Sequence, residues 1–232
     1  MSSANVAISA KRVRSLTEIR VGGLARLSSC DWPGQLVATI FCQGCPWACR
    51  YCHNPHLIPA NGDTQIDWQT VLTFLKGRCG LLDGVVFSGG EPTLQPHLES
   101  AIKQVKAMGF RIGLHTGGPY PGRLAQILPL VDWVGFDIKA PKKAYDRITG
   151  ARHSGNKAMR SLRLLLDSGV AYDLRTTVHP DLLSKEELLE LAAEVSDAGG
   201  KDHRIQKFRP DGCADIDLVN SLNLVSGDSG QR

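Results

Sequence analysis

LVATIFCQGCPWACRYCHNP, residues 36–55, holds a short apolar run that passes directly into a cluster of cysteines. The run over 36–42 is continuous rather than alternating, as expected of a strand covered on both faces. Strands of that kind belong to parallel sheets, so the cysteines occupy a loop at a strand's C-terminal end. Cys42, Cys45, Cys49 and Cys52 admit two readings. Two C-x2-C pairs invite a four-thiolate zinc site, yet zinc modules separate such pairs by about a dozen residues or more. Here only three residues lie between Cys45 and Cys49. Taken instead as C-x3-C-x2-C, Cys45, Cys49 and Cys52 hold three irons of a 4Fe–4S cube and leave the fourth open to a small molecule. An open position separates a reactive metal site from a structural one. Cys42, which ends the apolar run, reads as a buried thiol packing like a small hydrophobe.

Outward from that loop, apolar runs alternate with amphipathic stretches. DWQTVLTFLKGR (67–78) predicts a helix with Asp67 as its N-cap. GVVFSGGEP (84–92) is a strand running into a glycine turn, and a helix near 95–108 leads to RIGLHTGG (111–118), again a strand ending in glycines. A short helix near 121–129 precedes WVGFDIKAP (133–141), a helix near 155–168 precedes VAYDLRTTVHP (170–180), and a helix at 184–197 precedes HRIQKFRP (203–210). This rhythm predicts a parallel sheet with helical crossovers. Its strand–helix steps fall short of the eight of a full barrel of about 250 residues, so the expected fold is an incomplete, open (β/α)6 TIM-like barrel. Barrel chemistry gathers at the C-terminal strand ends, where this chain carries its cysteine loop, SGGEP, HTGG, DIK, RTTVHP and QKFRP. RVGGLARLSSCDWPG (20–34) reads as short strands and turns across the sheet edge. Residues 1–19 are expected to form a flexible segment, 20–217 the barrel domain, and 218–232 a polar, unstructured tail.

Composition limits the partners. The chain has 232 residues, 42% hydrophobic and 22% charged, with a formal net charge of +4. That balance is too mild, and too evenly spread, to argue for nucleic acid. No apolar run approaches the roughly 18 residues of a membrane span, and the N-terminus lacks the apolar core of a secretory signal. The expected setting is cytoplasmic, where seven cysteines argue for metal or redox chemistry rather than disulfides.

Cys45-x3-Cys49-x2-Cys52, with the aromatic Tyr51 before the last cysteine, resembles the signature of radical S-adenosylmethionine (SAM) enzymes. VGGLARLSSCDWPGQLVATIFCQGCPWACRYCHNPHLIP (21–59), SGGEPTLQ (88–95), FDIKAP (136–141), RTTVHP (175–180) and QKFRPDGCAD (206–215) together resemble the anaerobic ribonucleoside-triphosphate reductase activating proteins, a group of glycyl-radical-enzyme activases. The resemblance covers roughly residues 20 to 217. It implies a 4Fe–4S cluster on Cys45, Cys49 and Cys52, and SAM at the open iron. Reductive cleavage of SAM would yield a 5′-deoxyadenosyl radical that takes hydrogen from a backbone glycine of a partner, the anaerobic reductase being first choice. Tyr51, Cys52 and His53 would lie near the adenine, and Gly89, Gly90 and Glu91 near the methionine amino group. Asp137 and Lys139 would serve the methionine carboxylate, Arg175 the carboxylate or ribose, and Gln206 would be a weaker contact. A flavodoxin or ferredoxin is the usual reductant. Pyruvate formate-lyase activases carry Asp-Thr-Asn-Gly at the third strand end, where this chain has His115-Thr116-Gly117-Gly118, which puts a monovalent-cation site and that partner in doubt. No cysteine-rich insert lies between His53 and Trp68, so a second, ferredoxin-like domain is not expected. A small-molecule radical SAM enzyme resembling 7-carboxy-7-deazaguanine synthase is the alternative, and a zinc-stabilised binding module is a third reading.

Plainer readings stand beside these. Asp137 and Lys139 form a simple ion pair, Arg175 is paired or solvated, and His179 is structural. Glu186, Glu187, Glu190 and Glu194 lie on a solvated helix face, Trp32 packs, and Cys30, Cys79 and Cys213 are ordinary thiols.

Overall fold

The computed structural model of the chain describes residues 18–62 and 65–227. A seven-stranded sheet runs in chain order, through β1 (Val21–Ser28), β2 (Val37–Cys42), β3 (Gly84–Gly89), β4 (Arg111–Thr116), β5 (Trp133–Asp137), β6 (Ala171–Val178) and β7 (Arg204–Lys207). β1 is antiparallel to β2, and every later pair is parallel. Parallel strands that follow chain order keep their crossover helices on one face and curl the sheet. β1 and β7 remain as edges, so the barrel is partial, as the alternation predicted.

The helices are α1 (Trp68–Lys76), α2 (Leu98–Lys106), α3 (Pro121–Ile127), α4 (Tyr145–Thr149), α5 (Ser154–Ser168), α6 (Lys185–Asp197) and α7 (Ile216–Gly227). Asp67 caps α1, its carboxylate accepting from Thr70 N at 3.3 Å. The helices turn apolar stripes to the sheet, as with Val71, Leu72 and Leu75 of α1 and Leu98, Ile102 and Val105 of α2. These meet the outward strand residues Ala38, Ile40, Val85, Phe87, Ile112, Leu114, Val134 and Phe136 in the main core. The intervening residues face the lumen. A separate buried cluster there, Trp32, Val37, Val86 and Trp133, seals the floor of the barrel.

Two boundaries differ from expectation. The tail is not unstructured from 218: α7 continues to Gly227, Leu218 is buried, and its carbonyl accepts from His179 Nε2 at 3.0 Å. The small, polar residues at the end of the chain hid a helix whose Leu218, Val219 and Leu222 pack on the core. At the other end the flexible segment was expected to reach residue 19, yet Ile19 is buried and Glu18 accepts from Gln69 Nε2 at 2.8 Å. Residues 1–17 and 228–232 lie outside the described residues.

Candidate active site

Strand alternation builds the site from the floor upward. Trp32 and Trp133 stack across the lumen with ring centroids 5.4 Å apart. Glycine makes room for them: a Cβ on Gly113 would sit 2.9 Å from the Trp32 ring, and one on Gly135 would sit 2.8 Å from both Trp133 and His115. Trp32 thus packs, as expected, at the lumen floor.

Above the floor His115 joins two strands and a loop. Its Nε2 donates to the Asp31 carbonyl at 2.7 Å, and its Nδ1 accepts from Ser88 Oγ at 3.0 Å. Burial, with the nearby Arg175 charge, lowers its pKa to about 4, so the ring is neutral. Both nitrogens are committed. At the next level Asp137 accepts from Arg175 Nε at 2.6 Å and pairs with Lys139 Nζ at 3.2 Å. Burial works against its charge, yet Arg175 and Lys139 hold the Asp137 carboxyl well below the usual carboxylate range. The triad therefore carries one net positive charge at the rim, and the plainer ion-pair reading describes its internal geometry.

The cysteine loop crowns the cavity. Gly44 N donates to Leu57 O at 2.7 Å, Cys45 N to Ile58 O at 3.0 Å, and Ala48 N to Thr149 O at 2.9 Å. Trp47, inside the C-x3-C spacer, packs edge-on to Tyr145 at 5.8 Å, and Gly117 leaves space for it, since a Cβ there would lie 2.3 Å from the indole. Cys45, Cys49 and Cys52 are free thiols lining one cavity of about 350 Å³. Burial pushes the Cys45 thiol up to about 12 and Cys49 up to about 11. Cys42 is fully buried among outward-facing core residues, apart from the other three.

The same cavity is lined by Tyr51, His53, Gly89, Gly90, Glu91, Asp137, Lys139, Arg175 and Gln206, so every candidate contact is brought together. Gly90 is pressed against the cysteine loop: a Cβ would stand 2.3 Å from Gly44 O. Glu91 is buried, and its side chain is a tether, accepting from Thr93 N at 2.9 Å, Thr116 Oγ1 at 2.8 Å and Gly117 N at 3.2 Å. The wall residues Asp31, Phe41, Ser88, Thr177 and Arg209, and Cys30 at the rim, were not foreseen. For Ser88 and Thr177 the alternation of strand residues was the available signal.

Residues 39–192 match the radical SAM superfamily. The chain is 31% identical over 199 residues to a Methanocaldococcus jannaschii protein assigned as a glycyl-radical enzyme activating enzyme, covering 82% of this chain and 80% of that one. It is 32% identical over 180 residues to the pyruvate formate-lyase-activating enzyme of Clostridium pasteurianum, covering 75% and 74%. The chain belongs to the radical SAM superfamily. Its relatives by sequence include glycyl-radical-enzyme activases. In structure it is similar to Streptococcus suis SuiB bound to S-adenosylmethionine, with a TM-score of 0.59 and 13% identity over 81% of this chain and 45% of that one. Radical SAM enzymes use a 4Fe–4S cluster and SAM, and the residues here fit both. Cys45, Cys49 and Cys52 share one cavity. Thiols spread around one cavity suit a cluster in which each binds a different iron. The Tyr51 hydroxyl, buried with no hydrogen-bond partner among the described residues, leaves a polar contact open at a residue that lines the cavity. No helix among the described residues is long and apolar enough to cross a membrane.

Proposed function

We propose that this chain is an activase that takes a hydrogen atom from a backbone glycine of a glycyl radical enzyme, with anaerobic ribonucleoside-triphosphate reductase as the partner and a flavodoxin or ferredoxin as the electron source. Cys45, Cys49 and Cys52 ligate the cluster, Tyr51 and His53 flank the nucleoside, and Gly89, Gly90 and Glu91 form the wall beside the methionine amino group. The net positive charge of the Asp137, Lys139 and Arg175 triad faces the methionine carboxylate. The cluster and SAM, when bound, supply one-electron cleavage of a carbon–sulfur bond and a 5′-deoxyadenosyl radical.

The observation that carries the reading is that the carboxylates of this cavity are all committed. Asp137 is paired with Lys139 and Arg175, Glu91 is held by Thr93, Thr116 and Gly117, and Asp31 accepts from Thr39 Oγ1 at 2.6 Å. His115 is neutral with both nitrogens engaged. None of these carboxylates, nor His115, is free to act as a general base. His53, the other imidazole in the lining, is tied through Nε2 to Arg209 O. That suits removal of a hydrogen atom rather than a proton. The choice of the reductase rests on the sequence contexts around residues 21–59 and 206–215, and on His115 at the third strand end.

The test is spin resonance of reconstituted activase, SAM and a reductant mixed anaerobically with purified partners. A glycyl doublet with the reductase and none with pyruvate formate-lyase is expected. A doublet with pyruvate formate-lyase alone overturns the partner assignment. SAM cleavage without a doublet on any glycyl radical enzyme of the source organism overturns the activase reading.

A further inference from the structure

The two halves of the cysteine loop are anchored differently. Residues 44–48 are bonded to Leu57, Ile58 and Thr149. Residues 50–53, which bracket Cys52, make their hydrogen bonds outside the loop to one distant segment, 208–215, among the described residues. His53 Nε2 donates to Arg209 O at 2.9 Å, and its ring stacks on Phe208 at 5.8 Å. Arg50 Nε pairs with Asp215 Oδ2 at 2.7 Å, and Cys213 Sγ donates to Arg50 O at 3.4 Å. Gly212, at φ +76, lies so close that a Cβ would stand 2.4 Å from His53 O. The segment is fixed from behind. Phe208 is buried under His179, whose ring meets it edge-on at 5.1 Å and whose Nε2 donates to Leu218 of α7.

From this geometry we infer that residues 208–215 form a clamp that positions the Cys52 half of the loop, with Gly212 as the residue that lets the two backbones meet. The inference rests on Cys52 being the third ligand. Cys52 is only half-buried, so the clamp controls how much water reaches its side of the cluster. Solvent exposure and hydrogen bonding around the ligating sulfurs set the properties of such centres. Gly212 and Cys213 are positioning residues, since neither lines the cavity, although the Cys213 thiol is near enough to Cys52 to act on its charge.

The experiment compares Gly212→Ala with Gly199→Ala in the full-length protein reconstituted with iron and sulfide. Gly199 has the same left-handed conformation, φ +88, but open space around its Cβ, so it reports backbone strain alone. The readouts are iron per chain, the spin-resonance signal of the reduced cluster with and without SAM, and the rate of bleaching in air. Gly199→Ala should match the parent. Gly212→Ala should bleach about tenfold faster, equivalent to ~1.4 kcal/mol of lost docking, and its signal should respond less to SAM. Cys213→Ala should shift the spectrum in the same direction, and Cys213→Ser, which still donates to Arg50 O, should restore it. Equal behaviour of Gly212→Ala and Gly199→Ala overturns the clamp. A parent chain that takes up no iron overturns both the clamp and the ligand assignment. A parent that cleaves SAM but forms no glycyl radical overturns only the activase reading and leaves the clamp standing.

Discussion

Cys42 and Cys45 are separated by two residues, yet Cys42 faces the helices and Cys45 lines the cavity. The apolar run that ends at Cys42 announced this, because the last residue of a buried strand packs before the chain turns. Replacing Cys45, Cys49 or Cys52 with Ala should each abolish 5′-deoxyadenosine formation in a dithionite-driven assay. Cys42→Ala should keep that activity and lower stability by about 1 kcal/mol, measured by urea unfolding. His115 was noticed in the sequence only as a missing carboxylate. Its role as a neutral bridge between Ser88 and Asp31 depends on residues 27 and 84 positions away. Its folded pKa, about 4, lies below the unfolded value of about 6.5, so the unfolded chain binds the extra proton between them. Stability should be level above about pH 6.5 and fall as pH drops toward 4, by up to about 3 kcal/mol. His115→Gln should flatten that acid limb in unfolding curves recorded between about pH 5 and 7.5; an unchanged limb would assign it to other groups.

The strands were legible because each is a continuous apolar run, but their glycines were not explained until the lumen was seen. Gly113 and Gly135 accommodate Trp32 and Trp133, and nothing in a single strand says that a tryptophan from a loop some 80 residues earlier will lie against it. Gly113→Ala should overpack the floor, with contacts of 2.9 Å to both Trp32 and Val86, and cost about 1–3 kcal/mol by thermal or urea unfolding. The acidic stripe of α6 shows the opposite error. Its periodicity suggested a solvated face, but Glu187 pairs with Arg147, Glu190 with Lys143, and Glu194 accepts from Lys142 N. The stripe docks the 142–147 segment. Helix α7 had a usable signal in Asp215, whose carboxylate accepts from Leu218 N at 3.2 Å as a cap would.

The packing of the barrel is carried by its own side chains. One large core joins all the outer helices to the sheet, and the first half of the cysteine loop is held by backbone hydrogen bonds to Leu57, Ile58 and Thr149. Small zinc modules behave otherwise, being unfolded without their ion. Iron removal with a chelator should therefore leave far-ultraviolet circular dichroism almost unchanged while lowering the melting temperature by a few degrees; loss of the helical signal would mean that the cluster carries the fold. The barrel class followed from sequence rhythm, whereas the joining of 208–215 to 50–53 did not, since contacts across some 160 residues leave no local pattern.

The stacked tryptophans have one last consequence. With its floor closed by Trp32 and Trp133, the lumen admits nothing from the N-terminal ends of its strands. What remains is the cysteine-loop end and the side between the unpaired edges β1 and β7. On the activase reading proposed above, small molecule and large partner share those approaches, and a nucleoside held at depth is loaded before a partner settles over it.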